Sequence, residues 1–395
     1  MAHQEWVYAR QVPSRRLTLP VVLLAALAVP AAPAGAASKP ATVKVMSRNV
    51  YLGADLTPGV RASSIQELVD AAGVILKQVD DNKFKVRAKG LASEIRKKSP
   101  DLVGMQEVAL WRTGPCTESP IPPKAKTVRY DYLKLLLARL NKDTKRYHTV
   151  ISQPQFDFEV YVNTDGNEDT SAPGCPFGSE LNGRLTMRDV ILARNGHVQT
   201  SKPKADAFDT LLQVKPGGVP VNVTRGWTRV DAKVPGAEKF RFVNTHLEAF
   251  DNQKSNHTNT GHDVGNGKIR RAQAKELVAD GGPANSKLPV ILVGDLNSDK
   301  KTEVKPGDGG AYKVMLGAGF KERSALTPFG CCLNSGLLTV SGGGKLSDFD
   351  HKVDHVMTDA PKDIKLAGSA VTGRSPVNGF WDSDHAGLFS KLTLP

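Results

Sequence analysis

The stretch Val290-Ile-Leu-Val-Gly-Asp295-Leu-Asn297 is the strongest indication of the fold, because an unbroken apolar run here ends in an acid and an amide. An apolar run of this length, bounded by a turn signal, is typical of a strand that is buried on both faces. Side chains at the end of such a strand project beyond the sheet into a cleft. The segment therefore predicts a central strand that carries functional residues at its carboxyl end.

The same arrangement recurs at five other places, where a strand-like segment leads directly to an acid, an amide or a histidine. A single polar residue after a strand is usually a turn or cap residue. Six such places indicate a functional cleft, because turns would also use Ser, Gly and Lys. In chain order the residues are Asn49, Glu107, His246, Asp295, Asn297, Asp354, His355, Asp384 and His385. His355 follows Asp354 on one strand, so it points to the opposite face and we expect a structural role for it.

Strand-like and helix-like segments alternate from about residue 41 to the end of the sequence. The apolar patterns predict strands at 43–50, 101–106, 190–193, 219–234, 240–245, 288–293, 352–357, 364–371 and 387–394, and helices at 83–98, 132–140 and 268–279. Gly226 would allow a kink within the strand at 219–234. Polar segments at 113–128, 163–180, 251–267 and 299–310 predict long loops around a site. No linker or repeat marks a second domain, so we predict one α/β domain over 37–395, with buried sheets covered by helices.

Residues 1–36 have the pattern of a secretory signal peptide. Three arginines precede an apolar run at 19–29, and small residues follow at 34–36. The apolar run is shorter than the roughly 20 residues that span a bilayer. We therefore expect a secreted protein without a transmembrane segment.

The four cysteines favour disulfides over metal–thiolate sites, because an exported chain meets an oxidising compartment and no Cys-x-x-Cys pair is present. A bond between Cys116 and Cys175 would close a long Pro-, Gly- and Asp-rich loop. Cys331 and Cys332 are adjacent in the sequence. A vicinal disulfide, separate partners among the four cysteines and free thiols all stay open for this pair.

Composition narrows the function classes. The 395 residues are 40% hydrophobic, which excludes a wholly disordered or collagen-like chain. The net charge of +13 favours anionic partners, namely nucleic acid, phospholipid surfaces or phosphorylated small molecules. Neither a Gly-x-Ser-x-Gly motif nor a phosphate-binding Gly-x-x-x-x-Gly-Lys-Ser/Thr motif is present, which argues against serine esterases and P-loop enzymes.

The polar residues after the strands suit a hard divalent cation. Glu107, with Asn49, Asp295 or Asp384 nearby, would supply oxygen ligands of the kind that Mg²⁺ prefers while it meets a substrate phosphate. Zinc is less favoured, because the set lacks thiolates and a cluster of histidines. His257 and His262 are the candidate ligands if zinc is bound, although we interpret them as ordinary loop residues.

Six segments, in chain order, resemble the motif series of the endonuclease/exonuclease/phosphatase superfamily. They are Ser-Arg-Asn49-Val-Tyr-Leu, Gly-Met-Gln106-Glu107-Val, Asn-Thr-His246-Leu-Glu, Val-Gly-Asp295-Leu-Asn297-Ser, Lys-Val-Asp354-His and Asp-Ser383-Asp384-His385. The superfamily contains deoxyribonucleases, abasic-site endonucleases, inositol-polyphosphate phosphatases and neutral sphingomyelinases. The resemblance covers residues 43–389 and implies a four-layer α/β sandwich, in which two packed mixed β-sheets are flanked by helices around one active cleft.

The resemblance also implies a role for each matched residue. Glu107, helped by Asn49, would bind the catalytic Mg²⁺ or Mn²⁺, and Asp384 would bind a second metal or orient a histidine. Asp295, oriented by Asn297, would position and deprotonate the attacking water. Asp354 would hold His385, and His385 and His246 would bracket the phosphorus and stabilise the developing charge.

Three further residues are candidates for substrate binding, and each has a structural alternative. Arg188 precedes a predicted strand and would face the cleft, or would form a surface ion pair. Arg225 would place a guanidinium near phosphate, or would belong to a strand bulge. Trp111 would stack on a base or a lipid headgroup, or would pack on the core.

The substrate stays open between several classes. A nuclease-like phosphodiesterase is our first expectation, because basic stretches at 83–98 and 124–146 would grip a nucleic-acid backbone. A sphingomyelinase-like phospholipid phosphodiesterase is the alternative, favoured by the segments Asn49-Val-Tyr51 and His246-Leu-Glu-Ala, and a phosphomonoesterase would use the same residues. A noncatalytic binding protein is disfavoured because all key positions are present. We expect a monomer.

Overall fold

Two β-sheets pack face to face, with helices on the outer side of each sheet. The structure is a computed structural model that describes residues 41–116, 120–250, 267–299, 309–333, 336–359 and 364–394. The predicted signal peptide and the two loop histidines at 257 and 262 lie outside the described residues. The signal peptide and the domain bounds therefore remain predictions.

The elements follow one another along the chain as alternating strands and helices. The strands are β1 (Thr42–Asn49), β2 (Leu102–Gln106), β3 (Leu110–Pro115), β4 (Thr127–Asp131), β5 (Tyr147–Val162), β6 (Leu181–Arg194), β7 (Gln199–Ala207), β8 (Leu212–Val214), β9 (Val221–Val223), β10 (Gly226–Lys233), β11 (Phe240–His246), β12 (Val290–Asp295), β13 (Phe320–Glu322), β14 (Asp354–Asp359), β15 (Lys365–Thr372) and β16 (Gly387–Thr393). The helices are α1 (Thr57–Arg61), α2 (Ile65–Asp81), α3 (Phe84–Lys98), α4 (Tyr132–Leu140), α5 (Lys268–Val278) and α6 (Gly310–Gly317).

Both main sheets are mixed. The first has eight strands in the order β15-β16-β1-β2-β6-β3-β4, and β5 also pairs with β6. The second has six strands in the order β13-β14-β12-β11-β10-β7, and β8 and β9 form a separate small hairpin. The pairs β1–β2 and β11–β12 are parallel, whereas their other neighbours are antiparallel. The predicted α/β sandwich of two mixed sheets and outer helices is confirmed.

Three apolar clusters separate the layers. Strand β1 shows the principle, because Val43 and Val45 join the cluster between the sheets, whereas Met46 joins the cluster under the helices. This alternation follows from the two-residue period of a strand. On the first sheet, the outer cluster is covered by α2, α3 and α4, and on the second sheet by α5 and α6. The layer order is therefore helices, sheet, sheet, helices.

Strand register brings the predicted site residues to one edge of the sandwich. Asn49 pairs with Gln106 at the ends of β1 and β2, and His246 pairs with Asp295 at the ends of β11 and β12. The antiparallel strand β14 begins at Asp354, directly opposite Asp295. The carboxyl ends of four strands and the first residue of a fifth therefore meet at this edge.

The glycine of the Val-Gly-Asp295 segment is needed by the backbone. Gly294 has a φ of +153° and lies against the neighbouring strand, where an added Cβ would be 2.1 Å from the carbonyl oxygen of Thr245. Any side chain would push β12 away from β11 and move Asp295. Gly294 therefore helps to fix the position of Asp295 at the end of β12.

The sequence predictions fail at one strand and miss several elements. The strand predicted at 219–234 is interrupted at the predicted kink, because β10 begins at Gly226, but its two parts belong to different sheets, since β9 pairs with β8 whereas β10 pairs with β7 and β11. The two residues between β9 and β10 leave both sheets and carry Arg225 toward the site. The helices α1, α2 and α6 and the strands β3, β4, β5, β7, β8 and β13 were not predicted.

Arg87, one of the basic residues predicted to grip a nucleic acid, instead is buried beneath the site. Its guanidinium donates hydrogen bonds to the carbonyl oxygens of Val50, Tyr51, Asn82 and Asp382, at 2.9–3.1 Å. These carbonyls belong to the turn after β1, the end of α2 and the segment before His385. A guanidinium with fixed geometry therefore ties three separate segments together.

We expect Arg87→Met to lower the free energy of unfolding by about 3–5 kcal/mol, because it leaves several buried carbonyl oxygens without donors. Denaturant unfolding measures the difference. Lys89→Met on the same helix is the matched control, since Lys89 is exposed and surface substitutions change stability by about 0.5 kcal/mol or less. An Arg87→Met variant as stable as the control would contradict this account of the turn.

His355 lies on the far side of its strand from the site, as predicted. Its Nδ1 contacts Glu322 Oε2 at 2.5 Å, its Nε2 contacts the carbonyl oxygen of Ser298 at 2.9 Å, and its ring stacks on Tyr312. Although burial opposes ionisation, Lys352 and His355 lower the pKa of Glu322 to about 2. The group is therefore a buried structural ion cluster.

The lowered pKa of Glu322 makes stability depend on pH. A carboxyl with a folded pKa of about 2 and an ordinary unfolded value stabilises the fold above the unfolded pKa, and this contribution is lost as pH falls toward 2. We expect Glu322→Gln to cost on the order of 3 kcal/mol at pH 6 and less near pH 2. Urea titrations at several pH values test this, and a pH-independent difference would refute it.

Candidate active site

Asp295 lies at the centre of the site and is held from both sides. Its Oδ1 accepts a hydrogen bond from the backbone N–H of Asn297 at 2.9 Å, and its Oδ2 accepts one from Asn49 Nδ2 at 3.2 Å. Asn297 thus orients Asp295 through its main chain, in a left-handed conformation with φ +47°, while its side-chain amide donates to Leu247. Burial, reinforced by the charge of Asp354, raises the pKa of Asp295 to about 6.

His385 and Asp354 form a buried dyad beside Asp295. His385 Nδ1 is 2.7 Å from Asp354 Oδ2, and His385 Nε2 is 3.8 Å from Asp295 Oδ2. Burial alone would lower the pKa of His385, but Asp354, Asp384 and Asp295 raise it well above its ordinary value. The surrounding carboxylates therefore favour the charged form of the imidazole, with Nδ1–H donating to Asp354.

His246 also lies beside Asp295. The charges that shift its pKa are positive, whereas those around His385 are negative. Its Nε2 is 3.6 Å from Asp295 Oδ2, and its Nδ1 is 3.1 Å from Arg225 Nη1. Because a guanidinium has only donors, Nδ1 accepts and the proton of the neutral ring is on Nε2. Burial, together with the charges of Arg225 and His385, lowers the pKa of His246 well below its ordinary value. One neutral and one protonated imidazole therefore flank the same carboxylate.

Glu107 faces Asp295 across the amide of Asn49. Asn49 Nδ2 donates to Glu107 Oε1 at 2.9 Å, and the backbone N–H of Leu52 donates to Oε2 at 2.9 Å. Glu107 directly follows β2 and has a φ of +58°, in the left-handed region. Burial, followed by the charge of Asp384, raises the pKa of Glu107, and burial also raises the pKa of Asp384.

The donor set fits a hard divalent cation. Asp295 is buried and Glu107 and Asp384 are half-buried, and the pKa of each carboxyl is raised by desolvation and by a neighbouring carboxylate, which is the situation that a bound cation relieves. Carboxylate oxygens are the ligands that Mg²⁺ and Mn²⁺ prefer, and Asn49 holds two of these carboxylates from its side-chain Nδ2 while its Oδ1 accepts from the backbone N–H of Tyr51. The ligand atoms of Asp295, Asp354 and His385 also lie within 4.8 Å of one another.

The segment 383–385 is tied to the end of β1, which positions Asp384 and His385. Ser383 Oγ donates to the carbonyl oxygen of Asn49 at 2.9 Å and accepts from the backbone N–H of His385 at 3.2 Å. Glu107, Asp295, Asp384, His246, His385 and Arg225 all line one cavity of about 360 Å³. The predicted polar residues therefore converge on a single cleft.

The three candidates for substrate binding have different positions. Arg225 lines the cavity beside His246. Arg188 does not, because its guanidinium donates to the carbonyl oxygens of Val108 and Ala109 and pairs with Asp131 at 2.6 Å. Trp111 is buried in the core under the helices, and its Nε1 donates to the carbonyl oxygen of Leu52 while one side of its ring lines the cavity. Arg188 therefore supports the backbone that follows Glu107 rather than facing the cleft.

Several residues at the site were missed by the sequence predictions. Glu248 pairs with Arg225 at 3.4 Å, and this pairing outweighs burial and raises the pKa of Arg225. Asp189 is buried near Arg225, and burial raises its pKa well above the ordinary value. The sequence held a signal for both, since Glu248 follows His246 by two residues and Asp189 directly precedes the strand predicted at 190–193, which in the structure is part of β6.

The cysteine pairs are resolved by the structure. Cys116 and Cys175 form a disulfide with a Cα–Cα distance of 5.2 Å, which confirms the predicted loop closure. Cys331 and Cys332 pair with each other, so the vicinal alternative is the one that the structure contains. Their sulfurs lie 3.9 and 3.6 Å from His385 Nε2, a proximity that the sequence did not indicate.

Comparison with solved structures assigns the fold. A crystal structure of an endonuclease/exonuclease/phosphatase family protein from Bacteroides thetaiotaomicron has a TM-score of 0.52 and 15% identity, covering 90% of this chain and 99% of the other. A functionally unknown conserved protein from Enterococcus faecalis has a TM-score of 0.50 and 13% identity, over 89% and 100% of the two chains. The D. rerio TDP2 complexed with a single-strand DNA product has a TM-score of 0.48 and 17% identity, over 89% and 99%.

The chain has the endonuclease/exonuclease/phosphatase fold. At these identities the likeness establishes the fold alone. No protein-family model and no curated protein matches the sequence.

Proposed function

We propose that this protein is a secreted, divalent-metal-dependent phosphoesterase that hydrolyses phosphodiester bonds. The observation that carries the proposal is Asp295, a buried carboxylate flanked by a neutral His246 and by the His385–Asp354 dyad. The fold, which the Bacteroides thetaiotaomicron protein shares, supports the same reaction class. The predicted signal peptide at 1–36 supports export, and 37–395 would form the catalytic domain. Among the described residues, no helix is long and apolar enough to span a membrane.

The chemical roles follow from the proton positions. Asp295, with a raised pKa of about 6, is deprotonated at neutral pH and takes a proton from the attacking water. His246 donates from Nε2 to a phosphate oxygen. His385 carries a proton that Asp354 stabilises, so it supports the developing negative charge and donates to the leaving oxygen. Asn49 and Asn297 keep the carboxylate of Asp295 in place.

Glu107 and Asp384 would hold the divalent cation, and Asn49 would help by donating from Nδ2 to Glu107. When bound, Mg²⁺ or Mn²⁺ polarises a non-bridging phosphate oxygen and offsets negative charge in the transition state. Arg225 adds a fixed positive charge at the same cavity wall. Because Glu248 balances that charge, Arg225 stays ordered without a substrate.

Nucleic acid is the first substrate class that the sequence suggested, and exposed lysines on α3 are the surface that would contact it. Lys85, Lys89 and Lys97 project to solvent, whereas Arg87 does not. A protein that tracks a duplex releases counterions, so its affinity should fall linearly in log[salt] with a slope of roughly −0.9 per phosphate contacted. Reversing the charges of these three lysines would reduce that slope if they bind DNA.

A substrate panel tests the proposed function. The purified protein is assayed with bis(p-nitrophenyl) phosphate, p-nitrophenyl phosphate, duplex DNA, RNA and dispersed sphingomyelin, each with Mg²⁺ and with excess chelator. We expect hydrolysis of phosphodiesters that requires the metal. Cleavage of the monoester alone would make the protein a phosphomonoesterase, and no cleavage of any ester with either Mg²⁺ or Mn²⁺ would contradict the proposal.

A further inference from the structure

The cavity at the catalytic residues continues into a chamber with apolar walls. Its volume of about 360 Å³ is within the range of roughly 300–1,000 Å³ that is typical of small-molecule sites. The catalytic side chains line only one end. Most of the remaining wall is aliphatic and aromatic, and the side chains Phe156, Phe158, Val160, Val162, Leu68 and Leu76 supply much of it.

Strand β5 forms one wall of the chamber through its alternation. Phe156, Phe158, Val160 and Val162 are every second residue of the strand, so their side chains share one face. The residues between them, such as Asp157 and Glu159, form ion pairs or hydrogen bonds away from the chamber. This is a sheet face that an outer helix would ordinarily cover.

The opposite walls come from α2 and from the β8–β9 hairpin. Leu68 and Leu76 on α2 and Val214 and Val223 on the hairpin line the same space. The backbone N–H of Gly217, in the turn of the hairpin, donates to the carbonyl oxygen of Ala62 at 2.8 Å. The chamber therefore has three apolar walls, and this bond ties the hairpin to the connection between α1 and α2.

The charged and apolar ends meet at Arg225. Its Nη1 lies 3.1 Å from His246 Nδ1 and 3.7 Å from the sulfur of Met187, which lines the chamber. Among the described residues that line the cavity, Arg225 is the single lysine or arginine. A nucleic-acid strand needs several cationic contacts along its path, whereas an ester with one phosphate and a hydrocarbon chain needs one.

We propose that the chamber holds the hydrocarbon chain of the substrate, so that the enzyme acts on phosphodiesters of apolar alcohols, as in lipids. The inference rests on the proposed function, because it assigns the phosphate of the same molecule to the catalytic end. A buried alkyl chain gains affinity with each methylene that leaves water. Substrate preference is then determined by chain length, and the exposed lysines of α3 contribute little to it.

A homologous series of alkyl p-nitrophenyl phosphates measures the chamber directly. The methyl, butyl and octyl diesters have the same leaving group, and all are used below their micelle-forming concentrations. Because each buried methylene is worth at most about fourfold, we expect kcat/KM for the octyl ester to exceed that for the methyl ester by at least about 100-fold. Thymidine 5′-(p-nitrophenyl phosphate) is the nucleotide arm, and we expect it to be cleaved more slowly than the octyl ester.

Two substitutions in the wall localise the effect. Phe158→Ser removes an aromatic side chain that is half-exposed, and Val160→Thr replaces a methyl group by a hydroxyl of nearly the same volume. We expect the octyl-to-methyl ratio of kcat/KM to fall at least tenfold in Phe158→Ser and about threefold in Val160→Thr. Leu366→Ser on β15 is the matched control, because Leu366 is exposed and outside the cavity. Its ratio should equal that of the wild type.

The possible results distinguish a failure of the chamber proposal from a failure of the proposed function. If the methyl ester is hydrolysed but chain length has no effect, or if the nucleotide ester is preferred, the chamber proposal is wrong while the proposed function stands. If no ester is hydrolysed, the proposed function is wrong, and calorimetric binding of octyl phosphate against methyl phosphate still tests the chamber. Tighter binding of octyl phosphate that Phe158→Ser weakens would support it, and equal binding of the two would overturn it.

Discussion

Replacing His385 with alanine is expected to lower kcat by about 10²- to 10⁴-fold, the range for a positioned acid–base group. The side chain is protonated because Asp354 lies 2.7 Å from Nδ1 and because Asp384 and Asp295 add negative charge around it. Alanine removes both the positive charge at the developing oxyanion and the proton for the leaving oxygen. Steady-state kinetics with bis(p-nitrophenyl) phosphate and a thermal unfolding curve measure activity and folding on the same sample.

The matched control is His148→Ala. His148 is exposed at the start of β5 and contacts Asn195, so its loss should leave kcat within about twofold. His355→Ala adds a second comparison, because that ring belongs to the buried Glu322 cluster and its removal should cost stability more than turnover. A folded His385→Ala protein with a near-normal kcat would exclude His385 from the reaction.

Replacing Asp295 with asparagine should have an effect of the same size, about 10²- to 10⁴-fold on kcat. The amide has nearly the same shape and can still accept the hydrogen bond from the Asn297 backbone N–H, so the loop after β12 should stay in place. It cannot take a proton from water. The substitution therefore removes the base while it preserves the packing.

Asp143→Asn serves as the matched control for this change. Asp143 is an exposed acid in the turn after α4, outside the cavity, and we expect no measurable change in kcat. The Asp295→Asn protein should also unfold at a denaturant concentration close to that of the wild type. Retained activity in Asp295→Asn would mean that another group accepts the proton.

The fold was largely predictable because its central strands have clear patterns. The apolar run that ends at Asp295 and the alternation of β1 both indicate strands from a few neighbouring residues, and their polar ends mark the cleft. Strand β5 was missed because it has Pro154, Asp157 and Glu159 among its apolar residues. The apolar face of β5 shares a cavity with α2 and the β8–β9 hairpin, which are remote in sequence, so the residues near β5 did not indicate it.

The candidate site was predictable in composition but not in arrangement. The sequence indicated which acids and histidines meet, although only Asn49, Glu107, His246, Asp295 and Asn297 lie at or after the end of a strand, whereas Asp354 begins β14 and Asp384 and His385 precede β16. It did not indicate that Asn297 acts through its backbone N–H, or that Arg188 supports a turn while Arg225 enters the cavity. Those outcomes depend on which way a chain turns after its strand. Glu107 and Asn297 both have positive φ values there, and local residue patterns did not predict these conformations.

The most direct test of the central claim is the metal requirement of phosphodiester hydrolysis in the wild type and in Glu107→Gln. The proteins are stripped with chelator, dialysed and assayed with bis(p-nitrophenyl) phosphate over a titration of Mg²⁺ and of Mn²⁺. We expect the stripped wild type to be inactive and to recover fully with either ion, and Glu107→Gln to need a much higher metal concentration, because it loses the carboxylate nearest to Asn49. Full activity of the stripped wild type in excess chelator, or an unchanged metal requirement in a folded Glu107→Gln, would contradict the account.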